Sequence, residues 1–141
     1  MLRSLQKLFT AMHSAVYSLS KGRVFGRLGK TRFLLLHTIG RKSAKERVTP
    51  LNYVSDGPDF IVIASNGGAR IHPDWYLNLQ AQPEAEVEVD GTRIVVRAVT
   101  VDDDQRGRLW NLARDTWRYY DSYQQRTDRA IPVVRLQRIG G

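Results

Sequence analysis

The first group of residues whose chemistry points to a ligand is a basic loop that follows an apolar run. Between Gly40 and Arg47 the chain places four cations and one hydroxyl group: Arg41, Lys42, Ser43, Lys45 and Arg47. Arginine donates paired hydrogen bonds and lysine adds a compact charge, so the loop suits a phosphate group. The alternative interpretation, a solvated basic turn, stays open at this point.

A second candidate is the segment Ser65–Gly68, which reads Ser-Asn-Gly-Gly. Its two glycines permit positive φ angles and a close approach of the backbone to a ligand. If the preceding strands form a meander, the end of the third strand lies near the first strand pairings. We therefore expect this segment to offer backbone amides to the same ligand as the basic loop. The alternative is an ordinary turn.

Aromatic residues are concentrated in two places. Trp75 and Tyr76 stand with Asn78 at the start of a predicted helix, and a second cluster follows near the C-terminus: Trp117, Tyr119, Tyr120 and Tyr123. Such rings can wall a pocket for a flat ligand, or they can pack in the core. A phenol can also donate a proton, although its ordinary pKa near 10 makes it a weak acid at neutral pH. Asn78 fits a core less well, so we predict that it binds a ligand or caps a backbone group.

The chemistry that the sequence lacks narrows the classes of enzyme. The chain has no cysteine, so thiolate nucleophiles, disulfides and thiolate metal sites are excluded, and zinc and iron–sulfur enzymes are disfavoured. It also lacks a Gly-x-Ser-x-Gly elbow, a His-Glu-x-x-His motif and a P-loop. We therefore predict that, if the protein is an enzyme, an organic cofactor carries the reaction and no metal takes part.

Charge and hydropathy limit the partner and the compartment. The chain has 22 basic and 14 acidic residues and a net charge of +8, which favours nucleic acid, a phosphate-bearing cofactor or an acidic membrane as partner. The cations are concentrated in the first third of the chain, where Glu46 is the only acid before Asp56. No apolar run approaches the roughly 20 residues of a membrane span, and no signal peptide is evident, so we predict a cytoplasmic protein.

The first 30 residues form a separate predicted segment, an amphipathic helix with a basic linker. Its apolar residues recur in steps of three and four: Leu2, Leu5, Phe9, Met12, Val16 and Leu19. We favour packing of this stripe on the domain core. The alternative is peripheral contact of residues 1–30 with an acidic membrane. Residues 31–141 are the second predicted unit.

The elements that must position the candidate residues are mostly strands. The alternation of apolar residues and the turn signals predict strands at 33–38, 47–55, 60–65, 87–89, 92–101 and 131–136. Helices are predicted to start at Pro73 and at Asp102. Pro50 lacks a backbone donor, so its strand should lie at an edge or be bulged there. About six mostly antiparallel strands with flanking helices indicate an α+β domain built on an antiparallel barrel.

Several stretches, taken together and in order, resemble the deazaflavin (coenzyme F420)-dependent nitroreductase family. The matching stretches are Leu36–Ser43, Arg47–Leu51, Ala64–Gly68, His72–Leu79 and Tyr123–Val134. The resemblance implies a split β-barrel like that of flavin mononucleotide-binding oxidoreductases. It also implies that coenzyme F420 binds in a groove of this barrel, with its anionic part held by the basic loop.

The resemblance further implies roles for individual residues. The phosphate would be met by the basic loop: Arg41, Lys42, Ser43 and Arg47. Amides and a hydroxyl near the deazaflavin would come from Ser65, Asn66, Gly67 and Gly68. The cofactor groove would be lined or supported by Trp75, Tyr76 and Asn78. The acceptor pocket would be shaped by Trp117, Tyr120 and Tyr123.

The resulting hypothesis is an F420H2-dependent reductase that passes a hydride to a quinone-like, nitro or other electron-poor organic acceptor. Tyr120, Tyr123 or water would supply the proton. One alternative is a split-barrel oxidoreductase that binds FMN or haem. Another is a basic barrel that binds single-stranded nucleic acid, which we do not expect because the aromatics are not interleaved with the cations. The sequence leaves monomer or homodimer open.

Overall fold

The computed structural model of the protein describes residues 27–28 and 31–140. The amphipathic helix predicted at the N-terminus lies outside these residues. Arg27 and Leu28 form a short strand that pairs with Thr31 and Arg32. The division of the chain at residue 30 stays a prediction.

Strands and helices follow one another along the described chain much as the sequence predicts. The strands are β1 (Arg27–Leu28), β2 (Thr31–Ile39), β3 (Glu46–Asp56), β4 (Asp59–Ile63), β5 (Glu84–Val89), β6 (Thr92–Thr100) and β7 (Val133–Gly140). The helices are α1 (Asp74–Ala81), α2 (Asp103–Arg114) and α3 (Tyr120–Gln125). A 3-10 turn covers Asn66–Gly68 between β4 and α1.

The strands close into a barrel in which neighbouring strands are antiparallel. Their order is β2-β3-β4-β7-β6-β5, and β5 returns to β2 through the pairs Leu35↔Glu88, Leu36↔Val87 and His37↔Glu86. β1 is added to β2 beside this closure. The predicted α+β class and the barrel of about six antiparallel strands are therefore confirmed.

Local turn chemistry explains why consecutive strands pair. Asp90 and Gly91 both have positive φ angles, 50° and 81°, which the two-residue turn between β5 and β6 requires. Between β2 and β3, the amide of Gly40 donates to the carbonyl oxygen of Lys45 at 2.8 Å. The basic loop is therefore a hairpin loop, as predicted.

Alternation along the strands divides the buried side chains into two clusters. The inner cluster fills the barrel and includes Leu36, Val62 and Leu136. The outer cluster lies on the outward sheet surface under α2 and α3, and its strand members include Ile61 and Ile63. Neighbours along β4 thus enter different clusters, because successive strand residues point to opposite faces. This pattern fits the prediction that the 60–65 strand is central.

The barrel is split between β3 and β4. These strands pair only at Val54↔Ile61, Ser55↔Phe60 and Asp56↔Asp59. Before Val54, β3 pairs with β2 alone among the described strands, and Pro50 lies in this part, so the expected edge position of its strand is confirmed. A barrel strand with one open edge exposes backbone N–H and C=O groups that would otherwise bond to a neighbouring strand. None of the described helices has the length and apolar character needed to cross a membrane.

Candidate active site

A groove of about 390 Å³ opens where β3 and β4 separate. One wall is the unpaired edge of β3, formed by Thr49, Pro50, Leu51 and Asn52. Backbone N–H and C=O groups at a strand edge can bond to a ligand, and Pro50 supplies only a carbonyl. The fold therefore offers a ligand one side of a strand as a recognition surface.

Aromatic side chains form the facing walls. Trp75 comes from α1, while Trp117, Tyr120 and Tyr123 come from α3 and the residues just before it. The rings of Tyr120 and Tyr123 lie edge to face with centroids 6.3 Å apart. The structure thus brings the three predicted acceptor-pocket residues together with Trp75 around a single cavity. Flat rings in this arrangement suit a planar ligand.

Tyr120 is buried among these rings, with 6% of its surface exposed. Burial raises the pKa of Tyr120 to about 12, although a hydrogen bond with the Asn52 side chain acts in the opposite direction. The phenol is therefore neutral at physiological pH and can donate a hydrogen bond. It also releases a proton less readily than an ordinary tyrosine, which limits its value as a general acid.

Three residues of the Ser65–Gly68 turn, Ser65, Asn66 and Gly67, also line the groove. The amides of Gly68 and Ala69 are bonded within the turn, to the carbonyl oxygens of Ser65 at 2.9 Å and of Asn66 at 3.1 Å. Within the described part of the chain, the amides of Asn66 and Gly67 have no backbone acceptor. A Cβ atom added at Gly67 would find no described atom within 4 Å. A ligand can therefore approach the backbone closely at this residue.

Gly68 has the opposite surroundings. A Cβ atom added there would lie 2.7 Å from the carbonyl oxygen of Tyr123 and 3.0 Å from its Cα, and the φ angle of Gly68 is 83°. The close backbone approach predicted for the two glycines is thus made to the protein's own chain at Gly68. As a result the turn packs directly on the backbone of α3.

Arg129 also holds this turn, although no role for it is predicted from the sequence. Its guanidinium donates to the carbonyl oxygens of Ala64, Ser65 and Ala69, at 3.2, 2.7 and 2.8 Å. It also lies 3.1 Å from Nδ1 of His72. Burial, and then the charge of Arg129, lower the pKa of His72, so a neutral imidazole accepts this hydrogen bond. Because the contacts join residues about sixty positions apart in the chain, no local pattern signals them.

The basic loop is anchored to α1. The side-chain oxygen of Asn78 accepts from the backbone amide and the Nη1 of Arg41, at 3.1 and 2.9 Å. Nη2 of Arg41 lies 3.2 Å from Asp74, and the Asn78 amide nitrogen donates to Thr38 at 3.4 Å. Asn78 is buried, with 4% of its surface exposed. Because its oxygen accepts from the Arg41 amide, it caps a backbone group, which is one of its two predicted roles. Protein groups thus already satisfy Arg41 and Asn78.

The other cations of the loop have fewer partners among the described residues than Arg41 has. Lys42 and Lys45 are exposed and form no ion pair with any described residue, and Arg47 donates to the hydroxyl of Ser43 at 3.3 Å. None of these four lines the groove. Arg47 precedes the groove residue Thr49 by two positions on β3, a distance of roughly 7 Å along a strand.

Tyr76 lies behind the groove. It is 5% exposed, and its hydroxyl contacts Thr100 Oγ1 and accepts from Gln80, both at 2.9 Å. Its ring stands edge-on to Trp75 with centroids 6.2 Å apart. The structure therefore places Tyr76 as a support for Trp75 and does not bring it to the groove wall.

Taken together, the site fits a planar, hydrogen-bonding ligand that also carries an anionic group. Flat rings, an open strand edge and the residues Asn66 and Gly67 line the groove. The exposed cations Lys42 and Lys45 lie in the hairpin loop before β3, and Arg47 lies on β3 two positions before the groove residue Thr49. Flat contact surfaces, donors and separate cations match the parts of a ring cofactor with a phosphate-bearing chain.

Comparisons with known proteins agree with this geometry. A family model described as F420H(2)-dependent quinone reductase matches residues 9–138. An F420H(2)-dependent quinone reductase of Mycobacterium tuberculosis is 40% identical over 131 residues, covering 90% of this chain and 88% of that protein. A solved structure of an F420-H2 dependent reductase is 34% identical, with a TM-score of 0.69, over 74% of this chain and 93% of that one. Another, described as a domain-swapped dimer, is 30% identical with a TM-score of 0.72, over 90% and 96% of the two chains.

Proposed function

This chain belongs to the F420H(2)-dependent quinone reductase family, and we propose that it holds reduced F420 in the groove and reduces a quinone there. Membership makes the chain an oxidoreductase whose cofactor is coenzyme F420, as predicted. The acceptor is a small molecule. Its reduction in this particular groove, and the part played by each residue, are the substance of the proposal.

The observation that carries the proposal is the groove at the split between β3 and β4. It joins two surfaces, the Ser65–Gly68 turn with the β3 edge and the aromatic wall of Trp117, Tyr120 and Tyr123. A flat cofactor seated against the turn would leave a second flat ligand to stack beside it on the aromatic wall. Such stacking brings two reacting rings together, and this positioning supplies much of the rate enhancement.

The anionic part of the cofactor is assigned to the basic loop. Lys42, Lys45 and Arg47 carry the charges that remain after Arg41 has bonded to Asp74 and Asn78. Arg41 and Asn78 therefore act by fixing the loop against α1. The same helix carries Trp75, so α1 would set the distance between the ring site and the anion site.

When bound, reduced F420 supplies a hydride, which is two electrons and one proton. The protein's residues orient the acceptor and deliver the second proton that completes a hydroquinone. Tyr120 stays protonated because its pKa is raised to about 12, so we assign it to hydrogen bonding with the acceptor oxygen. Proton delivery is assigned to Tyr123, which also lines the groove, or to water.

Titration with F420 tests cofactor binding directly. Purified protein is added to oxidised F420 and the cofactor fluorescence is followed, and reduced F420 is then oxidised with a short-chain quinone. We expect saturable binding and quinone-dependent turnover. The matched pair is Lys42→Gln, which removes a cation without an ion pair in the described part of the chain, and Arg114→Gln, which removes a cation paired with Asp121. Only Lys42→Gln should weaken F420 binding, and absence of binding by the wild-type protein would contradict the proposal.

We also propose a wider acceptor range and a homodimer. Nitro compounds share the electron-poor character of quinones, and turnover of both under the same conditions tests the first point. The 30% identical structure described as a domain-swapped dimer supports the second, and light scattering on the eluted protein measures the molar mass.

We further propose contact of residues 1–30 with an acidic membrane, which is tested by sedimentation with anionic and neutral vesicles. Absence of binding to both kinds of vesicle would contradict membrane contact.

A further inference from the structure

We propose that Arg129 is a positioning residue of the cofactor site, because its guanidinium aims the amide of Asn66 into the groove. The inference rests on the proposed function in one respect, that the Ser65–Gly68 turn meets the cofactor ring. Arg129 lies between α3 and β7 and does not line the groove. It therefore acts through the turn and not by contact with a ligand.

The three carbonyl groups bonded to Arg129 bracket the turn. Those of Ala64 and Ser65 come at its start, and that of Ala69 follows its end. A guanidinium presents its N–H donors in one plane with fixed directions, so it can meet several carbonyls at once. The ammonium group of a lysine has no such planar fork. The contact pattern therefore depends on the shape of arginine as well as on its charge.

The planarity of the peptide group explains how the contact between Arg129 and the Ser65 carbonyl sets the direction of the next N–H group. In a trans peptide the C=O of one residue and the N–H of the next point in opposite directions. The Ser65 carbonyl oxygen accepts from Arg129 at 2.7 Å and from the Gly68 amide at 2.9 Å. With this oxygen turned toward Arg129, the N–H of Asn66 points away from it. Asn66 lines the groove and its amide has no backbone acceptor among the described residues.

Arg129 is itself fixed by α3, which carries the aromatic wall. Its carbonyl oxygen accepts from the side-chain nitrogen of Gln124 at 2.8 Å, and its amide donates to Thr127 at 3.3 Å. Gln124 lies on α3 one position after Tyr123. Thus one residue ties the cofactor turn to the helix that bears Tyr120 and Tyr123, and the two sides of the groove keep a fixed separation.

Three variants test the role of Arg129. Arg129→Gln removes the fork and the charge, and Arg129→Lys retains the charge alone. Arg135→Gln is the matched control, because Arg135 is also part-buried and bonds to Asp56 at 2.7 Å and to Asp59 at 3.1 Å. Among the described residues it forms no hydrogen bond with the turn or with Gln124. The measurements are the Kd for F420 by fluorescence, the KM and kcat for a quinone, and the melting temperature of each protein.

We expect Arg129→Gln and Arg129→Lys to weaken F420 binding by about tenfold or more, since several charge-assisted hydrogen bonds are lost. The KM for the quinone should change less than the Kd for F420. Arg135→Gln should lower the melting temperature while its Kd for F420 stays within about twofold of the wild-type value. If Arg129→Gln does not fold, the comparison of Arg129→Lys with Arg135→Gln gives the same test.

Two results would overturn the inference. One is F420 binding by both Arg129 variants within about twofold of the wild type, and the other is an equal loss of affinity in Arg135→Gln, which would indicate general destabilisation. Either result leaves the proposed function intact, because the wild-type protein still binds F420. Failure of the wild-type protein to bind F420 would instead contradict the proposed function itself.

Discussion

The interior of the barrel and the layer outside it are both rich in buried apolar residues, yet they are held together differently. The inner cluster is held together by strand pairing: hairpins bring in residues such as Leu34, Tyr53 and Phe60, and pairs between distant strands, β2 with β5 and β4 with β7, complete it. The outer layer joins β3 and β4 to α2 and α3, and its polar contacts include those of Arg129, which span about sixty positions. The groove lies at the margin of this outer layer.

The difference shows where a site can be placed on such a barrel. Inside the barrel, side chains are closely packed, so a substitution that changes the volume of one side chain affects all of its neighbours. Outside, the split between β3 and β4 is filled by rings, a turn and a few directed hydrogen bonds. Function is therefore expected to respond most to changes in the outer layer.

The largest effect is expected at Gly68. Gly68→Ala would place a methyl group 2.7 Å from a backbone oxygen of Tyr123 at a φ angle of 83°, so we expect a loss of roughly 2–4 kcal/mol in unfolding free energy and weaker F420 binding. Gly57→Ala is the control, since Gly57 has a similar φ angle of 62° but open surroundings. It should cost about 1 kcal/mol and leave F420 binding unchanged. Urea unfolding gives both values, and equal losses would show that the turn does not pack on α3 as described.

Next in size is the effect of the aromatic wall. Trp117→Ala removes a ring that lines the groove, and we expect kcat/KM for a quinone to fall about tenfold, or ~1.4 kcal/mol, with little change in the Kd for F420. Tyr119→Ala is the matched change, because Tyr119 contacts Trp117 at 5.3 Å between ring centroids but does not line the groove. Steady-state kinetics on both variants measure this. Similar kinetics in the two variants would remove Trp117 from the acceptor site.

Variants of Tyr120 and Tyr123 distinguish hydrogen bonding to the acceptor from proton delivery. Tyr120→Phe should lower kcat/KM about fivefold, the loss of one hydrogen bond worth ~1 kcal/mol, without altering the pH profile between pH 6 and 9. Its pKa of about 12 lies above that range. Tyr123→Phe should reduce kcat and change the solvent isotope effect if Tyr123 delivers the proton, and it should leave both unchanged if water does. A loss of a hundredfold or more in Tyr120→Phe would assign the proton to Tyr120 instead.

The smallest effect concerns His72, whose contact with Arg129 belongs to the outer layer. Because the pKa of His72 is lowered in the folded protein from its ordinary value of 6.5, the unfolded chain takes up the proton first as the pH falls. The contribution to stability is therefore fully present above pH 6.5 and declines below it. Melting temperatures of the wild type and of His72→Gln between pH 5 and 8 measure this. The wild type should lose more stability on acidification, and parallel curves would refute the assignment.

Much of the fold was predictable because its signals are local. The turn residues Asp90 and Gly91 and the alternation beside them predict the β5–β6 hairpin, and the apolar run at 60–65 predicts a central strand. Pro50 correctly indicates an edge, since a residue without an N–H cannot complete a ladder. The groove itself was not predictable in this way, because it arises where β4 stops pairing with β3, and no single residue encodes that point.

For the site as well, the structure agrees with predictions that depended on local signals and differs from those that depended on contacts between distant parts of the chain. The segment Ser65–Gly67, Trp75 and the three aromatic residues of the predicted acceptor pocket do meet around one cavity. Arg41, Asn78 and Tyr76 were grouped with them by sequence, but the structure binds their polar groups to other protein residues. Arg129 was missed, since an arginine in a charged loop is usually solvated and its four contacts exist only in the folded chain.

By itself the sequence determined a basic antiparallel barrel without thiol or metal-ligating motifs, and a resemblance that specifies the family and its cofactor. These follow from residue types and short spacings, which act within one strand, turn or helix. Only the tertiary structure decided which amides of the glycine turn remain for a ligand and which arginine orients them. The reason is physical: the direction of a peptide group depends on partners that are distant along the chain and become neighbours only when the barrel closes.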